Sequence, residues 1–107
     1  NEGEQIDRNQ GLEYGIHYFA LAFEKTDRTM NPFFIEYRPC DKKRELLQHD
    51  SQEFFIVLEG ELDYAVGSPE NARRMKKGDT IYLDARLPHG ANIAPGCDYA
   101  AAIVIYH

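Results

Sequence analysis

The chain alternates short apolar runs with turn-forming residues. Gly11, Gly15, Pro32, Pro39, Gly60, Gly67, Pro69, Gly78, Pro88, Gly90, Pro95 and Gly96 divide it into short pieces. No piece carries a convincing apolar stripe at i, i+3, i+4, i+7. The best helix candidate is KKRELLQ at 42–48, with Asp41 as its N-cap, and it has room for about two turns. The remaining pieces predict strands. Residues 14–23 are dense in aromatic and apolar side chains, and 33–37 form a second β-rich run. Residues 53–58 are nearly continuous in apolar residues, the pattern of a strand covered on both faces. Leu62, Tyr64 and Val66 alternate with Glu61, Asp63 and Ala65, and further strands are expected at 80–83 and 99–106. Gly60 in LEGEL reads as a tight turn or bulge, and Gly78-Asp79 as a turn. Roughly six to nine short strands at regular spacing predict an all-β sandwich or barrel.

Length and charge narrow the picture. The 107 residues make one domain, and a hydrophobic content of 43% excludes disorder by composition. The first residues, NEGEQIDRNQ, begin without Met and read as the end of an interdomain linker. The expected division is a polar linker at 1–11 and a β-barrel domain at 12–107. No apolar run is long enough to cross a bilayer, and no signal-peptide pattern is visible. Cys40 and Cys97 form no CxxC pair and read as free thiols in a reducing, cytoplasmic setting. A net charge of −6 argues against direct nucleic-acid binding. The basic clusters Lys42-Lys43-Arg44 and Arg73-Arg74 with Lys76-Lys77 read as solvated loops.

Four histidines are candidates for chemistry. His107 ends the sequence and is expected to fray. His17 lies in an aromatic strand, where packing or hydrogen bonding is its default role. His49 and Glu53 share a face if the chain is extended, but a straight strand would hold them about 13 Å apart. If Asp50-Ser51-Gln52 form a hairpin loop, the two face each other across antiparallel strands with Cβ atoms about 5 Å apart. They can then chelate a divalent ion or simply hydrogen-bond, and spacing alone favours the hydrogen bond. His89, between Pro88 and Gly90, sits at an expected bend between strands, from which it can enter the barrel.

These residues resemble the cupin motifs. The first motif has the form G-x5-H-x-H-x3-E-x6-G, and QHDSQEFFIVLEGEL matches its second half: His49 takes the second histidine, Glu53 the glutamate and Gly60 the closing glycine. GDTIYLDARLPHGAN resembles a shortened second motif, with Gly78 and Asp79 opening it and His89 as the ligand histidine. Leu47 stands where the first motif has its other histidine, and Asp41 where it opens on glycine. The resemblance implies a double-stranded β-helix, or jelly-roll barrel. It also implies a divalent metal (Fe, Zn, Ni or Mn) on His49, Glu53 and His89, with homodimerisation. It is closest to the ligand-sensing half of bacterial regulators that join a helix-turn-helix domain to a cupin. That predicts a small-molecule ligand, with Leu47, Phe55 and Tyr64 expected to line its pocket. A second resemblance is to the two-histidine, one-carboxylate site of non-haem iron oxygenases, and within them to hydroxypropylphosphonate epoxidases, which makes an enzyme the alternative. The third reading is a decayed, metal-free site, because one of the four usual ligands is missing.

Overall fold

The computed structural model describes residues 4–6, 12–21 and 30–107. Among the described residues, nine strands run in the order β1 (Glu4–Ile6), β2 (Ile16–Ala20), β3 (Asn31–Tyr37), β4 (Gln52–Glu59), β5 (Glu61–Val66), β6 (Ala72–Lys76), β7 (Thr80–Asp84), β8 (His89–Ile93) and β9 (Ala100–Tyr106). They form a six-stranded sheet, β1-β2-β3-β9-β4-β7, and a three-stranded sheet, β6-β5-β8. All pairings between named strands are antiparallel. This is the expected all-β jelly-roll arrangement. No helix among the described residues is long and apolar enough to cross a membrane.

The strand parity decides what lies inside. Along β4 the buried positions are Glu53, Phe55 and Val57, while Phe54 is 37% exposed. The run 53–58 therefore alternates rather than being covered on both faces, and its outward apolar residues account for the misleading continuity. Ile16, Ile35, Phe55, Val57, Leu62, Tyr64, Met75, Leu83, Ala91 and Val104 build one core between the two sheets. Leu62 is wholly buried. Leu62→Ala is expected to cost about 3 kcal/mol, because the facing sheets cannot close fully over the lost volume. Urea titration of the two proteins measures that difference.

Several expectations are corrected. Residues 42–48 are not helical: Leu47 forms an antiparallel bridge to His89, with N–H to carbonyl distances of 2.7 and 2.9 Å. A two-turn helix is too short to compete with backbone partners supplied across the barrel. Glu4–Ile6, within the stretch read as linker, pairs with β2. Residues 72–76 are a strand, not a loop: Arg73, Arg74 and Lys76 stay in solvent while Met75 is buried. Arg44, read with its neighbouring lysines as solvated, is only 9% exposed. His107 does not fray at the backbone, since its N–H and carbonyl both bond to Gln52. Cys40 and Cys97 are free thiols, as expected. The predicted strand at 14–23 begins at Ile16 and ends at Ala20; its residues 22 and 23 lie outside the described part.

Candidate metal centre

Three elements deliver the candidate ligands. Glu53 is the second residue of β4 and shares its inward parity with Phe55 and Val57. His89 is the first residue of β8 and points inward with Ala91. His49 precedes β4. The expected hairpin at 50–52 does not form. Instead, the chain before β4 stays antiparallel to the 84–89 stretch: Gln52 pairs with Asp84, the Ala85 N–H donates to the Ser51 carbonyl, and the His49 N–H donates to the Ala85 carbonyl. A bend at Asp50 and Ser51 replaces the hairpin. His49 and Glu53 thus lie along one folded strand segment and not across a ladder, and the bend removes the separation that a straight strand would impose.

The result is a compact donor set. His49, Glu53 and His89 each offer a ligand atom, and these atoms all lie within 4.8 Å of one another. His89 Nε2 is 3.1 Å from Glu53 Oε1. His89 Nδ1 is 2.8 Å from the Leu87 carbonyl, which assigns the Nδ1 proton to that bond and turns Nε2 to the cavity. The Tyr64 hydroxyl donates to Glu53 Oε2. Burial, followed by the charge and hydrogen bond of Glu53, pushes the Tyr64 phenol far above its ordinary pKa, so it remains a donor. The His49 ring lies 5.0 Å, centroid to centroid, from both His89 and Tyr106.

The donors fit a divalent ion. Glu53 is 2% exposed, and its Oε1 faces His89 Nε2, which can donate to it only when the imidazole is charged. A buried carboxylate oxygen in that state is costly unless a cation takes it up. Two imidazoles and one carboxylate form the facial set that leaves other coordination positions open. Leu47 lines the same cavity with hydrocarbon, so it supplies no fourth ligand. Phe55 and Tyr64 also line it, their rings 4.9 Å apart.

The lining residues missed from sequence include every other one with a polar side chain: Tyr18, Tyr37, Arg44 and Tyr106. The inward parity of Tyr18 on β2 and Tyr37 on β3 was a usable signal. Tyr106 closes β9 directly opposite Glu53. Arg44 lies in an irregular stretch, and no periodicity marks it. The space open to a water-sized sphere is about 30 Å³, room for roughly two waters or a comparably small group.

The pKa of His89 is raised. Burial opposes its charged form most strongly, yet the Glu53 hydrogen bond, the Leu87 carbonyl and the Glu53 charge together outweigh it, while Arg44 acts the other way. With the folded value above the ordinary 6.5, the metal-free fold has the full benefit of the pair below about pH 6.5. It loses that benefit as pH rises through the folded value. Metal binding requires neutral His89 and follows the opposite course. The melting temperature of metal-free protein is therefore expected to decline across this window as metal affinity climbs. Calorimetry in buffers of different ionisation enthalpy should detect proton release on metal uptake.

Comparison with known proteins agrees with this fold. The family model for the cupin domain matches residues 33–106. Hydroxypropylphosphonic acid epoxidase from S. wedmorenis superimposes with a TM-score of 0.78 at 24% identity, covering 99% of this chain and 56% of that one. The Fe(II) form of HppE gives 0.75 at 23% identity over 86% of this chain and 50% of that one. An RmlC-like cupin from Shewanella frigidimarina gives 0.68 at 19% identity over 98% and 83%. At these identities the likeness shows the fold, and the chain spans about half the length of the epoxidase structures. No curated protein matches the sequence.

Proposed function

This chain belongs to the cupin family, and we propose that its barrel holds a divalent metal ion on His49, Glu53 and His89 and offers the remaining coordination positions to a small molecule. The observation that carries this reading is the convergence of three donor atoms within 4.8 Å around a buried carboxylate oxygen whose partner, His89 Nε2, can donate to it only when the imidazole is charged. Tyr64 holds the Glu53 carboxylate in orientation. The Leu87 carbonyl fixes the His89 tautomer that leaves Nε2 available. Leu47, Phe55 and Val104 form the apolar part of the cavity wall.

Fe(II) suits this donor set, and on it would supply an oxygen-reactive centre with open positions. We infer a non-haem iron oxidoreductase on that basis, with support from the fold shared with the Fe(II) form of HppE. The test is anaerobic loading with Fe(II), metal analysis, and oxygen uptake in the presence of candidate small molecules. One equivalent of iron per chain is expected, with loss of loading in His49→Ala. Protein that retains no Fe(II), Co(II), Mn(II), Ni(II) or Zn(II) sinks the proposal and favours the decayed site. Loading without oxygen uptake would instead support the ligand-sensing role suggested by the resemblance to regulator domains.

A further inference from the structure

We propose that Arg44 makes the inner cavity an anion subsite, so that the small molecule bound there carries an oxyanion group, carboxylate or phosphate, beside the oxygen it offers to the metal. The metal-bound half of this statement rests on the metal-centre reading above; the anion subsite rests on Arg44 alone.

Arg44 is an unusual cation for its place. It is 9% exposed, whereas Lys42 and Lys43 beside it are in solvent. Its backbone is clamped from β8: the Arg44 N–H donates to Asn92 Oδ1 at 2.9 Å, and Asn92 Nδ2 donates to the Arg44 carbonyl at 3.3 Å. The side chain crosses the Tyr18 ring at 5.3 Å, and Nη1 donates to the Tyr18 hydroxyl. Its Nε is buried and donates to nothing. Among the described residues, no carboxylate lies within ion-pairing distance of the guanidinium. Glu53 lines the same cavity, but its oxygens face His89 and Tyr64. A buried guanidinium lacking both an anion and one of its hydrogen bonds is costly, and an oxyanion entering the cavity relieves both deficits.

Charge and size point to the same ligand. A divalent ion on two neutral imidazoles and one carboxylate remains net positive, and Arg44 adds to that surplus. The planar guanidinium suits the paired oxygens of a carboxylate or phosphate. About 30 Å³ of open space admits a group of a few atoms and excludes a bulky one.

The experiment compares glycolate, inorganic phosphate and ethylene glycol as probes of the whole chain, both metal-free and loaded with Co(II). Calorimetry reads affinity, and the visible Co(II) spectrum reads access to the metal. Wild-type protein is expected to bind glycolate or phosphate at least about tenfold more tightly than ethylene glycol, and the preferred anion identifies the group. Arg44→Met and Arg44→Lys should weaken that binding by about ten- to a hundredfold while retaining Co(II), the range expected for lost charge-assisted hydrogen bonds. Equal affinity for ethylene glycol and both anions in wild-type protein overturns the proposal without need of a variant. So does anion binding that is undiminished in Arg44→Met. If Co(II) fails to bind but Arg44-dependent anion binding persists, the subsite stands and the metal-centre reading falls.

Discussion

Glu53→Gln is expected to lower divalent-metal affinity by more than about a hundredfold while leaving the barrel folded. Changing a group that hydrogen-bonds to a metal ligand typically costs about ten- to a hundredfold in affinity, and loss of the one anionic residue of the donor set should cost more. The amide keeps the volume of the carboxylate and can still accept from Tyr64, so the packing around Phe55 and Tyr64 survives. The substitution also has a signature unrelated to metal. In the wild type, burial depresses the His89 pKa while Glu53, by hydrogen bond and charge, raises it above 6.5. With the charge gone, burial and the nearby Arg44 should carry His89 below its ordinary value. Co(II) titration reads the first effect, and the His89 ring resonances followed against pH read the second. A variant that binds Co(II) as tightly as wild type, or whose His89 titration is unmoved, would refute the assigned role of Glu53.

Gly60→Ala is expected to destabilise the fold by about 4 kcal/mol, at the top of the range for single substitutions. In a domain of this size that lowers the melting temperature by roughly 15–30 °C. Gly60 has a φ of +73°, and a Cβ there would lie 2.2 Å from the Tyr99 carbonyl oxygen and 2.8 Å from Ala100 Cα. The obstacles are backbone atoms at the start of β9 and cannot rotate away. The same region holds the register shift between Val57 and Glu59 opposite Ala102 and Ala101, two residues almost completely buried. β9 cannot retreat without disturbing its pairing with both β3 and β4. Gly78 supplies the control. Its φ is +91°, but nothing lies within 4 Å of an added Cβ. Gly78→Ala should therefore incur only backbone strain, about 1–2 kcal/mol. Denaturant midpoints for the two variants separate collision from strain, and equal losses would contradict this account.

Much of the fold was legible because turn residues and strand parity are local properties. Gly60 and Gly78-Asp79 marked their turns, and the alternation through Leu62, Tyr64 and Val66 forecast β5. The candidate ligands His49, Glu53 and His89 were legible as residue types at recognisable spacing. Phe55, Tyr64 and Leu47 line the cavity around them. The errors came where backbone hydrogen bonds are long-range. Nothing local distinguishes KKRELLQ as extended rather than helical; the bridge from Leu47 to His89, 42 residues later, does so. Likewise β6 shows a charged outer face, and only Met75 reveals its inward one.

The sequence by itself determined which side chains are available for chemistry and which strand faces they share, since an extended chain turns successive residues to opposite sides. It also determined that Leu47, and not a histidine, stands before His49. The distance between His49 and Glu53 was decided by tertiary structure: the bend at Asp50-Ser51, held by hydrogen bonds to Ala85, brings together two residues that a straight strand would keep apart. Tertiary structure likewise decided that Arg44 is buried while Lys42 and Lys43 are not. Burial depends on which distant strands close over a residue, and Tyr18 on β2 and Asn92 on β8 meet Arg44 only in the folded barrel.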